Sequence, residues 1–333
     1  RGLKVLRYYF HYARNYPWAL FFLIAGAIGL QLGELAGPLF LKDFFNLLAT
    51  PVPDASTVEA LTRTITTIGI IWAGVWLLRR VQSYSIMYIE WNAMPQLYES
   101  AFRYLLKHSY NFFTSNFAGS LTHKVTKFSR AFEGIFDTLM LQFFPTAIFV
   151  LGVLTVLSLR NPLLGLILGG WLVCFLAFQV LMAKLRQPMR AERAAADSAT
   201  TAALADAIGN HSAIQLFSGY GVERKRFGEA TARWRAATIR SWVMDDHIWS
   251  GQGLLMLGVN IGLLWGAMHY WQQGMLTVGD FVLIQVYLIG TFDRLLGINR
   301  DLRRFYNLFA DAGEMIDILE QPHEIKDARG AQA

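Results

Sequence analysis

An all-α membrane fold, with six long spanning helices and cytoplasmic extensions, is predicted by three observations. Apolar residues make up 54% of the 333 residues and charged residues only 16%, too little charge to cover a soluble surface. Apolar runs long enough to cross a bilayer recur along the chain. Lys and Arg collect in the N-terminal segment, two long polar loops and the C-terminal stretch. Only Lys42, Arg63 and Arg160 fall on the opposite side, with Arg79 and Arg80 inside a span. That bias puts both termini in the cytoplasm. It also argues against a nucleic-acid partner, despite a formal charge of +6. The lone Cys174 lies in an apolar run, so neither a disulfide framework nor a cysteine metal site is expected. The sequence opens at Arg1 without Met and shows no cleavable signal peptide, and is read as a fragment.

Residues 1–16 are expected to form an amphipathic helix at the cytoplasmic lipid interface. Lys4, Arg7, His11 and Arg14 fall at spacings of three and four and form one polar stripe, while Leu3, Leu6, Tyr8, Tyr9, Phe10 and Tyr12 fill much of the rest. The alternative is an ordinary helix packed on the bundle. Pro17 starts the first span, Trp18 to about Leu41, with Trp18 as interfacial anchor. Gly26, Gly29, Gly33 and Gly37 leave one face thin enough for close helix packing. Residues 49–60 form the first outer loop. The second helix runs from Leu61 to about Lys107, a rod of roughly 70 Å against a hydrocarbon core of roughly 30 Å. It must project into the cytoplasm, with a kink expected at Pro95.

Residues 108–118 make the first cytoplasmic turn. The third helix spans Gly119–Leu159, with its lipid-facing part near Phe143–Leu159. Asn161 can cap the fourth helix and Pro162 suits its first turn. That helix spans Leu163–Ala183 and continues past Pro188 into a basic, Ala-rich stretch, Ala191 to Phe227. Within this stretch Ile208, Ile214, Leu216 and Phe217 form a short apolar set, closed by Ser218-Gly219-Tyr220-Gly221. A fifth helix runs from Val222 to Trp271 and a sixth from Leu276 to about Glu320, where Thr277 and Asp280 can make a capping box.

Short outer loops and two long inner excursions, between spans two and three and between spans four and five, resemble the type IV ABC-exporter transmembrane domain. The resemblance covers essentially the whole chain. Asp206, Asn210, the run Ala213-Ile214-Gln215-Leu216-Phe217, Glu223 and Arg226-Phe227 resemble the family's second intracellular loop with its transverse coupling helix. Asn111-Phe112-Phe113 followed by Gly119-Ser120-Leu121 resembles its first coupling loop. Gly274 through Asp280 resembles the lead-in to the sixth helix, and Leu308 through Asp327 the exit into the nucleotide-binding domain. Gln215 stands where the family often has Lys, and Glu314-Met315 where it usually has Glu-Arg. Asn210 takes a place often held by Gly, where the metal- and mitochondrial-type branch is similar to this chain. Subfamily and substrate therefore stay open.

The resemblance implies domains at 1–16 (interfacial helix), 17–320 (six-helix transmembrane domain) and 321–333 (linker). It implies a first coupling helix around Tyr110, Asn111, Phe112 and Phe113, and a second around Asn210, His211, Ile214, Gln215, Leu216 and Phe217. It further implies pairing with a second half-transporter, identical or similar, together with a nucleotide-binding domain and membrane lipids. ATP and Mg2+ are expected on that other domain, because no G-x-x-x-x-G-K-[ST] loop occurs in this sequence. The chain itself holds no expected cofactor and is not expected to hydrolyse ATP. The seven histidines are scattered without ligand spacing, so a metal site is not expected either.

Intramembrane charges are costly unless paired or hydrated. Glu34 lies 16 residues past Trp18, about 24 Å along span one and in its outer part. Arg79, Arg80, Asp293 and Arg294 are expected nearer the inner leaflet, as structural pairs between spans two and six or as the wall of an inward-facing cavity. Asp245-Asp246-His247 reads as a solvated or salt-bridged cluster at the inner interface. The expected function is export of an amphipathic substrate (lipid, peptide, drug or conjugate) driven by ATP on the attached domain, across the inner membrane if the source is bacterial. An ATPase-less channel or regulatory protein on the same fold, or an ion-driven transporter, are the other readings. The last is weakened by the lack of repeated halves.

Overall fold

The computed structural model describes residues 2–50 and 54–324. Part of the outer loop (51–53) and the linker beyond 324, with the end of the Leu308–Asp327 stretch, lie outside the described residues. All regular elements described are helical: α1 (Gly2–Ala13), α2 (Pro17–Leu48), α3 (Ala55–Leu105), α4 (Tyr110–Ser115), α5 (Ala118–Asp137), α6 (Phe144–Arg160), α7 (Pro162–Gly209), α8 (His211–Leu216), α9 (Tyr220–Gln272), α10 (Val278–Leu296) and α11 (Ile298–Leu319). Six helical stretches among the described residues are long and apolar enough to cross a membrane. The chain is thus a multi-pass membrane polypeptide. It divides into two compact units, residues 1–160 with 267–333 and residues 161–266.

In the first unit α2 and α3 pack closely along the glycine face. A Cβ on Gly33 would stand 2.4 Å from Val75 Cγ2, so a larger residue there would push the helices apart. α3 begins at a genuine cap, Asp54 Oδ1 accepting from Thr57 N at 2.8 Å, and continues past Pro95 as one helix of 51 residues.

The third span is not one continuous α-helix. A six-residue π-helical turn, Thr138–Phe143, separates α5 from α6. Pro145 is the second residue after it; it has no N–H to give to the residue-141 carbonyl, and its ring would crowd that carbonyl in an α-turn. Side chains meet carbonyls around the wide turn: Thr138 Oγ1 donates to Gly134 O (2.6 Å) and Gln82 Nε2 to Met140 O (3.3 Å). The sixth span is likewise broken, at Gly297.

Long rods in water need a core of their own. Val5, Tyr9 and Ala13 of α1, Ile89, Ala93 and Leu97 of α3, Phe128 and Phe132 of α5, and Ala312 and Met315 of α11 bury one another in the cytoplasmic half. Tyr9 donates to Phe128 O at 2.6 Å, and Lys127 pairs with Asp311 at 2.7 Å. α1 is therefore packed on the bundle by one face, while its basic stripe stays outward.

In the second unit α7 starts as expected, with Asn161 Oδ1 accepting from Leu163 N (2.9 Å) and Pro162 in the first turn. α7 and α9 run antiparallel and are tied along their length. Trp171 Nε1 donates to Leu255 O, and the buried amides of Gln252 and Gln179 meet at 2.8 Å. Further along, Asp245 takes Arg186 (3.2 Å) and Arg190 (3.6 Å), so this acidic group is salt-bridged. Glu192 pairs with Arg240, and Asp206 with Arg226.

Candidate functional site

Two places carry unusual chemistry: a charge cluster inside the spans and the tips of the cytoplasmic extensions. The close approach of α2 to α3 lets Arg79 reach across to Glu34, Nη2 to Oε1 at 2.9 Å. The other carboxylate oxygen of Glu34 accepts from Arg294 of α10. Arg294 also reaches Gln31 Oε1 (3.3 Å) and Gly290 O (3.1 Å), and its guanidinium carbon stands 3.6 Å from the Phe149 ring centroid. Gly290 makes room for this stack: a Cβ there would lie 3.1 Å from Phe149 Cζ.

One carboxylate thus serves two guanidiniums from two other spans. Glu34, Arg79 and Arg294 meet at one level, whereas counting along the sequence put Glu34 in the outer part of its span. Both α2 and α3 are longer than a bilayer requires, so counts made separately from Trp18 and from Leu61 need not agree on one level. The pairs weighed between spans two and six do not form; both arginines go to span one. Arg80 and Asp293 are exposed and make no ion pair among the described residues. Together these five groups leave one positive charge in excess.

Sequence reasoning missed a second buried pair. Lys42 Nζ and Asp280 Oδ1 stand 3.7 Å apart, both almost fully buried. The expected capping box is present, Thr277 N and Oγ1 both donating to Asp280 Oδ2 at 2.8 Å. Gly279 N donates to Asn46 Oδ1 at 2.7 Å, so the start of α10 is clamped onto α2.

At the first tip, α4 places Phe112 inward and leaves Tyr110 and Phe113 exposed, with Asn111 also at the surface. Phe112 stacks on His108, ring centroids 4.1 Å apart at 15°. His108 in turn lies 4.7 Å from the His323 ring. Tyr104 OH donates to Gln321 O (2.6 Å), His323 Nε2 contacts Tyr104 O (3.0 Å), and Ser109 Oγ donates to Glu324. The stretch after α11 is thereby latched to the first tip. Burial and the adjacent His323 hold the His108 imidazole below its ordinary pKa, partly offset by Glu324. His108 and His323 are far apart in sequence, and no spacing rule could have joined them.

At the second tip Asn210 ends α7, its Nδ2 bonding Asp206 O at 2.9 Å, and α8 follows at once. His211 and Gln215 are exposed, and Ile214 is partly covered. Leu216 and Phe217 are 80% and 84% exposed. Ser218 turns the chain with φ 50°, and Gly219 N closes back on Ile214 O.

The family model for the ABC transporter transmembrane region matches residues 20–295. The chain belongs to this family. The ABC transmembrane domain is similar to rat ATP-binding cassette sub-family B member 6 (23% identical, covering 93% of this chain and 38% of the relative). It is similar to the mitochondrial iron-sulfur clusters transporter ATM1 of Yarrowia lipolytica (21%, covering 93% and 44%). It is also similar to heavy metal tolerance factor 1 of Caenorhabditis elegans (23%, covering 93% and 38%). Among solved structures, a bacterial Atm1-family ABC exporter with ATP bound superposes with a TM-score of 0.65 at 20% identity, over 96% of this chain and 55% of that one. The chain therefore spans less than half the length of the three relatives and 55% of the solved chain. ATP use goes with the family, yet the described residues offer no strand–loop–helix phosphate cradle, and no group of three or more His, Cys, Asp or Glu gathers as a metal site among them.

Proposed function

We propose that this ABC transmembrane domain forms half of the translocation pathway of an ATP-driven exporter, working with a second identical or similar half. α4 and α8 transmit movement of attached nucleotide-binding domains to the spans. The carrying observation is the second tip. Leu216 and Phe217 stand exposed at the end of a 48-residue helix, some 70 Å long. Apolar groups so far from lipid favour a docked partner domain.

Spans four and five form a compact unit of their own, which supports their crossing to the partner half as one body. The Glu34–Arg79–Arg294 cluster, with exposed Arg80 and Asp293, favours an anionic amphipathic cargo. The names of two relatives, which speak of iron-sulfur clusters and heavy-metal tolerance, are compatible with a charged one. The test is crosslinking of the full-length protein through single cysteines on α7 and α9, with Cys174 replaced. Interchain products to the partner's other spans are expected; only intrachain products would contradict the exchange.

A further inference from the structure

The stripe Lys4, Arg7, His11 and Arg14 lies opposite the buried Val5, Tyr9 and Ala13, as three- and four-residue spacing on a helix dictates. It faces a groove of about 740 Å³ whose other wall is the last turn of α11, a volume in the range of small-molecule sites. Tyr8, Phe10, Ile316 and Leu319 add apolar surface to the groove beside the charges. Glu320 is the one carboxylate among its described lining residues, and Lys4 takes it at 2.8 Å. Arg7 and Arg14 are left exposed, with no ion pair among the described residues.

The position of the groove narrows its occupant. α1 leads within four residues into α2, whose first turn exposes Trp18 (76%), followed by exposed Phe21 and Phe22. Aromatic side chains at that point mark the membrane–water boundary. On the flank of α1 beside the basic stripe, Leu3 and Phe10 are 84% and 57% exposed. Apolar groups next to unpaired cations, directly under a span, suit an acyl chain and a phosphate presented together. A water-soluble phosphate compound would have no use for Leu3. The cytoplasmic leaflet, where the charge bias puts α1, is the anionic one.

We propose that the groove between α1 and the end of α11 binds the phosphate headgroup of an anionic phospholipid of the cytoplasmic leaflet, Arg7 and Arg14 holding the phosphate. The wall it touches continues into the latch at Gln321–Glu324. Lipid occupancy would thus stiffen the exit from the last helix.

The experiment uses the 333-residue chain in nanodiscs of phosphatidylcholine with or without phosphatidylglycerol, and reads retained lipid by native mass spectrometry. Wild type is expected to retain phosphatidylglycerol over phosphatidylcholine, and R7Q/R14Q to bind it about thirtyfold more weakly. Both side chains are exposed, and the charge-keeping R7K/R14K variant is expected to restore retention, separating lost charge from lost fold. Equal retention by wild type and R7Q/R14Q would overturn the site. Displacement of phosphatidylglycerol by millimolar inorganic phosphate would overturn the lipid as its occupant.

Discussion

The guanidinium of Arg294 lies over the ring of Phe149, 3.6 Å from its centroid, while the same group reaches Glu34. Arg294 is therefore held from two sides, by a carboxylate and a π-face, and is three-quarters buried. Arg79, the other donor to Glu34, is about half exposed. Glu34→Ala strands Arg294, and a loss of about 3–5 kcal/mol of stability is expected, the range for breaking a buried pair from one side. Arg79→Ala is expected to cost about 1 kcal/mol or less. Thermal unfolding in nanodiscs measures both, and equal losses would show that the Arg79 pair alone accounts for the contribution of Glu34.

Gly279 stands where the start of α10 meets α2. A Cβ there would lie 2.1 Å from Lys42 O and 2.8 Å from Asn46 Oδ1, and backbone cannot step aside cheaply. Gly279→Ala is expected to destabilise by about 1–3 kcal/mol or more and to loosen the Lys42–Asp280 pair. Gly228→Ala in α9, where nothing lies within 4 Å, is the control, expected to be neutral or to gain up to about 1 kcal/mol. A neutral Gly279→Ala would mean the two helices are not clamped.

What could be read in the sequence was local or long in period. Hydropathy marks the six spans, and the caps at Asn161 and Thr277–Asp280 need only neighbours in sequence. Glu34 found its partners through the rotation of three helices about their axes, which no single-helix pattern encodes. The π turn has one signal in the sequence, Pro145, set inside an otherwise continuous apolar run. Val5, Tyr9 and Ala13 repeat every fourth residue, yet aromatic and aliphatic residues around most of α1 leave that buried face without contrast in the sequence. Phe112 and Phe113 are adjacent and alike; only the fold shows that Phe112 is the covered one.

The latch at the first tip should respond to acid. His108 is held below its ordinary value of about 6.5 by burial and by His323. The unfolded or unlatched form therefore takes the proton first. Latch stability is full above about 6.5, falls as pH drops through the window just below it, and rises again with pH. Hydrogen-exchange protection of residues 320–324, after division by the intrinsic exchange rate at each pH, is expected to fall on acidification from about pH 7.5 to about 5.5, and His108→Gln to flatten that dependence. A latch indifferent to pH in the wild type would refute this.

The two tips should differ in what they lose. Phe112 is covered by His108, so Phe112→Ala is expected to cost the isolated chain about 3–5 kcal/mol. Phe217 is exposed, so Phe217→Ala is expected to leave the unfolding temperature of residues 1–333 nearly unchanged. Matching destabilisation by both would place Phe217 in a local core and remove it as a docking residue.

Transport decides most directly whether this domain couples ATP hydrolysis elsewhere to movement through its spans. Inside-out vesicles carrying the full-length protein would be given a fluorescent anionic amphiphile with and without ATP, in wild type and in Phe217→Ala at matched expression. ATP-dependent accumulation in the wild type, lost in Phe217→Ala while residues 1–333 keep their stability, is the expected result. Accumulation that ignores ATP, or that survives Phe217→Ala undiminished, would contradict it.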